Sequence, residues 1–444
     1  MSIQFDGDKV VRDVNSDPEF VVAARDWNAV VRFQIDDEAW DAVAVDGRLE
    51  SFGPATDRRP TISYAGPTSE WEKLFSKQQP PRHWGVSMMA LVGLLEQSAD
   101  SVLVLGQAFG PIFRITEALR AHVSNPTEIP STADPYKEGD GNIVGGYVYI
   151  NVDGTEHRVY YEEAGEGVPI LLQHTAGNSS VQWHHFLANP EMQKRYRMIS
   201  YDLPYHGSSL PPLHANEPWW EVPEASTKED LMSRIVAISH ALELEQPIFM
   251  GCSIGGNLAL DLAAYHADEF RAVVSLNPKY GGWRQPENFD PTPAIEASKR
   301  MSPRINKEPA AVSDYLIASP LVPESSRREI WWEYGQGAPN ITTVDGIYHN
   351  YHHDLRKDGH LIDGTRRPVY VIISDYDHAS EGPGGGRDVG NHIPSVRMRT
   401  LTELSHFMMA DDPVRFSEAI APILEEAVRD TSAAEPAALS TVSA

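Results

Sequence analysis

Residues 247–263 limit the fold more tightly than any other stretch of the chain. The apolar run Pro247-Ile248-Phe249-Met250 enters Gly251-Cys252-Ser253-Ile254-Gly255-Gly256, and Asn257-Leu258-Ala259-Leu260-Asp261-Leu262-Ala263 follows with helical periodicity. This pattern predicts a buried strand turning sharply into a helix, with Ser253 at the turn. The flanking glycines leave room for the strained backbone that such a turn imposes. A hydroxyl placed there stands clear of the sheet, beside the N–H groups that open the helix. G-x-S-x-G alone is a weak signal. The strand before it and the helix after it make Ser253 a candidate nucleophile.

Short apolar segments of the same kind recur at Tyr147–Val152, His157–Glu163, Pro169–Gln173, Tyr196–Tyr201, Pro247–Met250, Ala272–Leu276, Pro368–Ile373 and Val396–Leu401. They alternate with helical patterns, which predicts an α/β unit with a mostly parallel eight-stranded sheet covered on both faces. Thr227-Lys228-Glu229-Asp230 reads as a capping box opening a helix whose Leu231, Ile235, Ile238 and Leu242 share one face. The rhythm breaks between Asn277 and Arg367, and an insertion over about 279–366 is expected to form a helical lid. Residues 1–125 form a smaller N-terminal α+β accessory domain, 126–146 a linker rich in Pro, Ser, Thr and acid, and 147–430 the main domain. The small, polar stretch 431–444 reads as a disordered tail.

With 444 residues the chain can build two cores, and no apolar run approaches the ~18 residues that span a bilayer. Met1-Ser2-Ile3-Gln4-Phe5-Asp6 lacks a basic and then apolar leader, and Cys252 is the single cysteine, so a reducing, cytoplasmic setting is expected. A net charge of −26 repels phosphate backbones and anionic lipid, which argues against nucleic acid and membranes as partners. A small-molecule substrate is the expected partner, and homo-oligomerisation is left open.

A serine hydroxyl needs a base to take its proton, and the base needs an anion to orient it. After Ser253 both types of residue follow strands. Pro368–Ile373 runs into Ser374-Asp375-Tyr376-Asp377, and Val396–Leu401 leads to Leu404-Ser405-His406-Phe407. On these motifs, in this order, residues 147–428 resemble an α/β-hydrolase. The resemblance implies Ser253 as nucleophile, His406 as base and Asp377 as the acid, with Asp375 as the competitor. Asp202-Leu203-Pro204-Tyr205-His206-Gly207-Ser208-Ser209 corresponds to the family's D-x-x-G-x-G-x-S turn. His174-Thr175-Ala176-Gly177-Asn178 stands where the family has H-G-x-x, with threonine in place of the first glycine. The implied oxyanion donors are the backbone N–H groups of Ala176 and Ile254, with no cofactor and no metal.

Several residues carry a bland reading beside a sharper one. His174 is either a brace for its loop or a substrate contact, and Cys252 reads as a small buried filler. Trp183, Trp331 and Trp332, with Trp283, Tyr315, Tyr334, Tyr348 and Tyr351, are either lid core or the aromatic wall of a substrate site; Trp219 and Trp220 lie farther on. The i, i+3 pair His349 and His352 reads more readily as lid surface than as metal ligands. In the first region, Val30–Ile35, Asp41–Val45 with its Asp46-Gly47 turn, Thr61–Tyr64 and a helix from Ser69 resemble a sterol-carrier-protein-like fold. The resemblance implies a hydrophobic groove or subunit contact there; the plainer expectation is an accessory domain that packs on the hydrolase or mediates oligomerisation. The expected activity is hydrolysis of a carboxylic ester, lactone or amide of a bulky, aromatic small molecule through an acyl-enzyme. The rivals are a C–C bond hydrolase of a ring-fission product and a non-catalytic ligand-binding protein on the same scaffold.

Overall fold

A computed structural model describes residues 3–124, 136–209, 227–281, 322–335, 341–377 and 383–432. The chain divides into two compact units, Met1–Pro130 with Glu308–Arg327, and Ser131–Lys307 with Arg328–Ala444.

The first unit is built on a five-stranded mixed sheet of order β3-β2-β1-β4-β5, with β1 Ala29–Ile35, β2 Glu38–Val45, β3 Arg48–Pro54, β4 Ile62–Gly66 and β5 Glu96–Ala99. Asp46 and Gly47 both take positive φ, the geometry that matches a tight turn to strand twist, and join β2 to β3. Val31, Phe33 and Ile35 alternate onto the buried face. On the other face Arg32 forms a bidentate pair with Asp41, its partner in the β1–β2 register, at 2.8 and 2.9 Å. Helices α1 Gly7–Ser16, α2 Pro18–Ala23, α3 Thr68–Leu74, α4 Val86–Leu91 and α5 Val102–Ser124 complete the unit. Phe33, Phe52, Trp71 and Phe75 pack in tilted, edge-on and stacked contacts at its centre.

The second unit carries the eight-stranded sheet, in the order β13-β12-β11-β10-β8-β9-β7-β6. Its strands are β6 Val144–Val152, β7 Thr155–Ala164, β8 Val168–Gln173, β9 Tyr196–Tyr201, β10 Ile248–Cys252, β11 Ala272–Leu276, β12 Val369–Ser374 and β13 Arg397–Leu401. Pairing is parallel from β13 through β9, and β9–β7 and β7–β6 are antiparallel. Every residue of β10, β11 and β12 is buried, as expected of strands covered on both faces. Strand β6 begins at Val144, inside the expected linker, because its pairing with β7 continues to Glu163. Thr227 caps α6 Lys228–Ala241 by accepting the Asp230 N–H. The other helices used below are α7 Ile254–Tyr265, α8 Glu324–Gly335, α9 Ile341–Ile347, α10 Gly386–His392 and α11 Pro413–Ser432. The chain leaves β8 for β9 on one side and crosses back to β10 on the other. That reversal falls at the carboxyl ends of β8 and β10, the place where open α/β sheets bind ligands.

Candidate active site

Ser253 occupies the turn between β10 and α7 with φ 59° and ψ −111°. A non-glycine residue held there costs about 1–3 kcal/mol and persists only when its surroundings impose it. Here the Ser253 N–H donates to the Leu276 carbonyl, and the Ser253 carbonyl accepts from the Asn257 N–H, both at 2.9 Å. A Cβ on Gly251 would lie 2.6 Å from the Gly255 backbone. On Gly255 it would lie 2.8 Å from the Gln173 carbonyl oxygen, and on Gly256 2.4 Å from that of Leu276. The three glycines thus let α7 fold back against β10, β8 and β11. They bring its first turn to the end of β8, and Ser253 is left 6% exposed.

The strand ends supply the next two groups. His406 Nδ1 lies 2.6 Å from Asp377 Oδ1, both buried. Asp375, two residues earlier, instead accepts the Glu403 N–H at 2.8 Å on the half-buried side of the turn. Asn277, at φ 45°, locks the two loops together. Its amide donates to Ser374 Oγ and to the Ser405 and His406 carbonyls and accepts the Ser374 N–H. Ser374 Oγ also donates to the Ser405 carbonyl at 2.7 Å, and the Ser405 N–H donates to Asp411 at 3.0 Å. Nothing local in the sequence marks Asn277, Ser374 or Ser405. The available signal is a polar side chain ending each of three apolar strands or loops. Cys252 is the buried filler expected: its Sγ donates to the His406 carbonyl, and burial pushes its thiol up.

Facing the elbow is the loop after β8. The N–H of Thr175 donates to Gln182 Oε1 (2.9 Å), that of Gly177 to Asp345 Oδ2 (2.7 Å) and that of Asn178 to the Thr175 carbonyl (3.2 Å). The Ala176 N–H meets no acceptor among the described residues, and neither does that of Ile254, the first of α7. Ala176 is also the loop residue that is only partly buried. Of the two readings of His174, the structure shows the brace. Its Nε2 accepts the Leu203 N–H at 3.2 Å, so Nδ1 carries the proton and donates to the Thr175 carbonyl at 2.7 Å. Burial and the neighbouring His206 pull the His174 pKa down to about 3, so the ring stays neutral. The Thr175 carbonyl and the Ala176 N–H are opposite ends of one trans peptide, and holding the carbonyl turns the N–H the other way. The arrangement can polarise a carbonyl at two N–H groups beside a hydroxyl, with an imidazole–carboxylate pair beyond β12 and β13 at the same end of the sheet.

Helix α8 braces the same loop. Thr175 Oγ1 and Tyr334 OH are 3.0 Å apart, and Asn178 Nδ2 donates to Glu333 Oε2 at 2.8 Å. Burial pushes the Glu333 carboxyl up to about 8 from an ordinary 4.5, against the lowering hydrogen bond of Asn178. The folded chain therefore keeps a proton that the unfolded chain releases. This stabilisation is complete below about pH 4.5 and is lost as pH rises through 8. Glu333→Gln keeps an oxygen for Asn178. It is expected to raise Tm at pH 8.5 by a few degrees, at about 2–4 °C per kcal/mol, and to change it little at pH 4.5. An equal shift at both pH values in a thermal melt would remove Glu333 as the source.

The aromatic wall is corrected at two positions. Trp183 is fully buried against Phe186 and Phe416, with ring centroids 6.1 and 6.2 Å away, and so belongs to the core. Trp332 points outward at 72% exposure. The side chain of Trp331 lies outside the described residues, as do Trp219, Trp220, Trp283 and Tyr315. His353 binds Asp261 and the Lys279 carbonyl, while His349 faces Asn257, which gives both structural partners. Unforeseen from the sequence was Lys279, whose buried ammonium donates to Asn350 Oδ1 at 2.6 Å. Burial pulls its pKa down to about 7, against the raising charge of Asp377.

A site of this make, at the reversal point of a mostly parallel sheet, is that of an α/β enzyme. The chain belongs to the alpha/beta hydrolase fold family, which it matches over residues 168–413. It is 31% identical over 122 residues to a 2-hydroxymuconate semialdehyde hydrolase of Pseudomonas sp. (strain CF600), covering 27% of this chain and 39% of that protein. It is 28% identical over 296 residues to a 2-hydroxy-6-oxononadienedioate/2-hydroxy-6-oxononatrienedioate hydrolase of Burkholderia vietnamiensis, covering 62% and 94%. With 3-oxoadipate enol-lactonase 1 of Acinetobacter baylyi the identity is 27% over 129 residues, covering 29% and 44%. The chain thus spans nearly all of one relative and less than half of the other two. Among the described residues no helix is long and apolar enough to cross a membrane.

Proposed function

We propose that this protein hydrolyses a carboxylic ester or lactone of a small molecule through an acyl-enzyme on Ser253. The observations that carry the reading are the 2.6 Å His406–Asp377 pair beyond β12 and β13 and a serine held at φ 59° after β10, all at carboxyl ends of the same sheet. Ser253 Oγ attacks the carbonyl carbon while His406 takes its proton, and Asp377 orients the ring and stabilises the imidazolium. The N–H groups of Ala176 and Ile254 receive the oxyanion. His406 then protonates the leaving oxygen, and water repeats the cycle to release the acid. Likeness to an enol-lactonase supports the lactone. Trp183 faces the core and Trp332 the solvent, so neither supplies an aromatic wall for the substrate.

A second reading is favoured by one observation: the relative aligned over 94% of its length is a 2-hydroxy-6-oxononadienedioate/2-hydroxy-6-oxononatrienedioate hydrolase. On that reading the same residues cleave a C–C bond of a vinylogous diketone. Treating the full chain with a fluorophosphonate is expected to add one phosphonyl group at Ser253, mapped by mass, and none in Ser253→Ala. Acid release from aryl esters or lactones, lost in Ser253→Ala, supports the first reading. Release from a vinylogous diketone alone transfers the assignment to C–C cleavage. A folded protein with neither adduct nor turnover would sink both.

A further inference from the structure

We propose that the buried pair Asp345 and His206 positions the oxyanion hole, acting through the Gly177 peptide to aim the Ala176 N–H. The inference rests on the reading of Ser253 and Ala176 given above. Asp345 lies on α9, the first described helix after α8, and its Oδ2 accepts both the Gly177 N–H at 2.7 Å and His206 Nε2 at 2.8 Å. His206 Nδ1 faces the Pro204 carbonyl at 3.2 Å. Both ring nitrogens therefore face acceptors, and the ring meets both as a donor only when it is imidazolium. The other groups facing it are the neutral His174 ring, 4.7 Å away, and the Asp202 carboxylate, which accepts the Ser180 N–H. Burial pulls the His206 pKa down, but the charge and hydrogen bond of Asp345 more than offset this, so it ends above that of an ordinary histidine.

The geometry makes this pair more than packing. Gly177 sits at φ 69°, and a Cβ on it would lie 2.1 Å from Thr342 Oγ1, so the loop is pressed directly onto α9. Asp345 holds the peptide that follows Ala176, Gln182 holds the one that enters Thr175, and His174 holds the carbonyl between them. With both flanking planes fixed, the Ala176 N–H has one direction left. The Asp345 carboxylate is 1% exposed and uses one oxygen, while among the described residues its Oδ1 has no hydrogen-bond partner. A buried carboxylate so thinly solvated needs its cation, which ties the aim of the loop to the charge of His206.

The test uses fluorophosphonate labelling of the full chain, which reads the hole through the phosphonyl oxygen and needs no known substrate. Asp345→Leu, similar in size and without an acceptor, is expected to slow the maximal labelling rate about 30- to 100-fold, within the worth of one oxyanion donor. The probe's apparent affinity should stay within about threefold. Asp345→Asn, which returns an oxygen to Gly177, should recover most of the rate. A folded Asp345→Leu that labels at the wild-type rate, or loses affinity and rate alike, would overturn the proposal. Should that variant fail to fold, the wild type decides. His206 must titrate by NMR above the range of an ordinary histidine, and the labelling rate must fall as pH rises through that titration. A His206 that titrates at or below the ordinary range refutes the pair. Absence of any adduct on wild-type Ser253 instead brings down the functional reading itself, a result distinct from an adduct that ignores Asp345.

Discussion

Asp377→Asn is expected to lower kcat about 10⁴-fold, while Asp375→Asn should stay within about threefold. The contrast follows from the turn after β12. Asp377 Oδ1 lies 2.6 Å from His406 Nδ1, whereas Asp375 is spent on the Glu403 N–H. An asparagine at 377 can present its amide N–H to Nδ1. The imidazole proton then moves to Nε2, the nitrogen that must be free to take the serine proton. The loss is one of tautomer and charge rather than of shape, so the melting temperature should change far less than the rate. Steady-state kinetics on an ester that the wild type turns over settles it. A 10⁴-fold loss in the Asp375 variant with an active Asp377 variant would reassign the acid.

Gly256→Ala is expected to cost about 1–3 kcal/mol of stability, the range for overpacking a filled core, and to slow turnover about 10²-fold or more. The added Cβ would lie 2.4 Å from the Leu276 carbonyl oxygen, the atom that accepts the Ser253 N–H. Helix α7 cannot retreat without moving Ser253, because the serine is the residue on which the helix starts. Gly141→Ala, where a Cβ meets nothing within 4 Å, is the control and should change neither quantity. Thermal unfolding read beside fluorophosphonate labelling separates the two effects. A Gly256→Ala protein with wild-type values in both would mean that the glycine is not needed for the turn.

The eight strands of the second unit are legible because central strands buried on both faces are written as continuous apolar runs. Their ends are less so. Gly145 and Gly146 look like linker, yet they lie in β6 because Tyr160 and Tyr161 of β7 cross over them, leaving 2.5 and 3.0 Å for a Cβ. In the first unit β3 escapes a search for alternation: a register shift at Val43/Ala44 puts its buried residues, Leu49 and Phe52, three apart. Ser253, Asp377 and His406 are readable because each sits in a short motif tied to a strand end. Which way a side chain faces is not readable locally. Trp183 is turned inward by Phe416 from the far end of the chain, and His174 by the Leu203 N–H. Asn277 and Asp345 act on loops more than a hundred positions away, and no window of sequence contains both partners.

The reach of those loop anchors sets a schedule for biosynthesis. Thr175, Asn178 and Gly177 are joined to Tyr334, Glu333 and Asp345 across 159, 155 and 168 positions. At about 5–20 residues per second, roughly ten to thirty seconds separate the emergence of the loop from that of its anchors. Through the second half of that interval the nascent chain carries the elbow serine without the frame around it, and His406 emerges later still. Ribosome-bound chains arrested before Ile341 should therefore be inert toward a serine-directed probe, and reactivity should arise only near the end of synthesis.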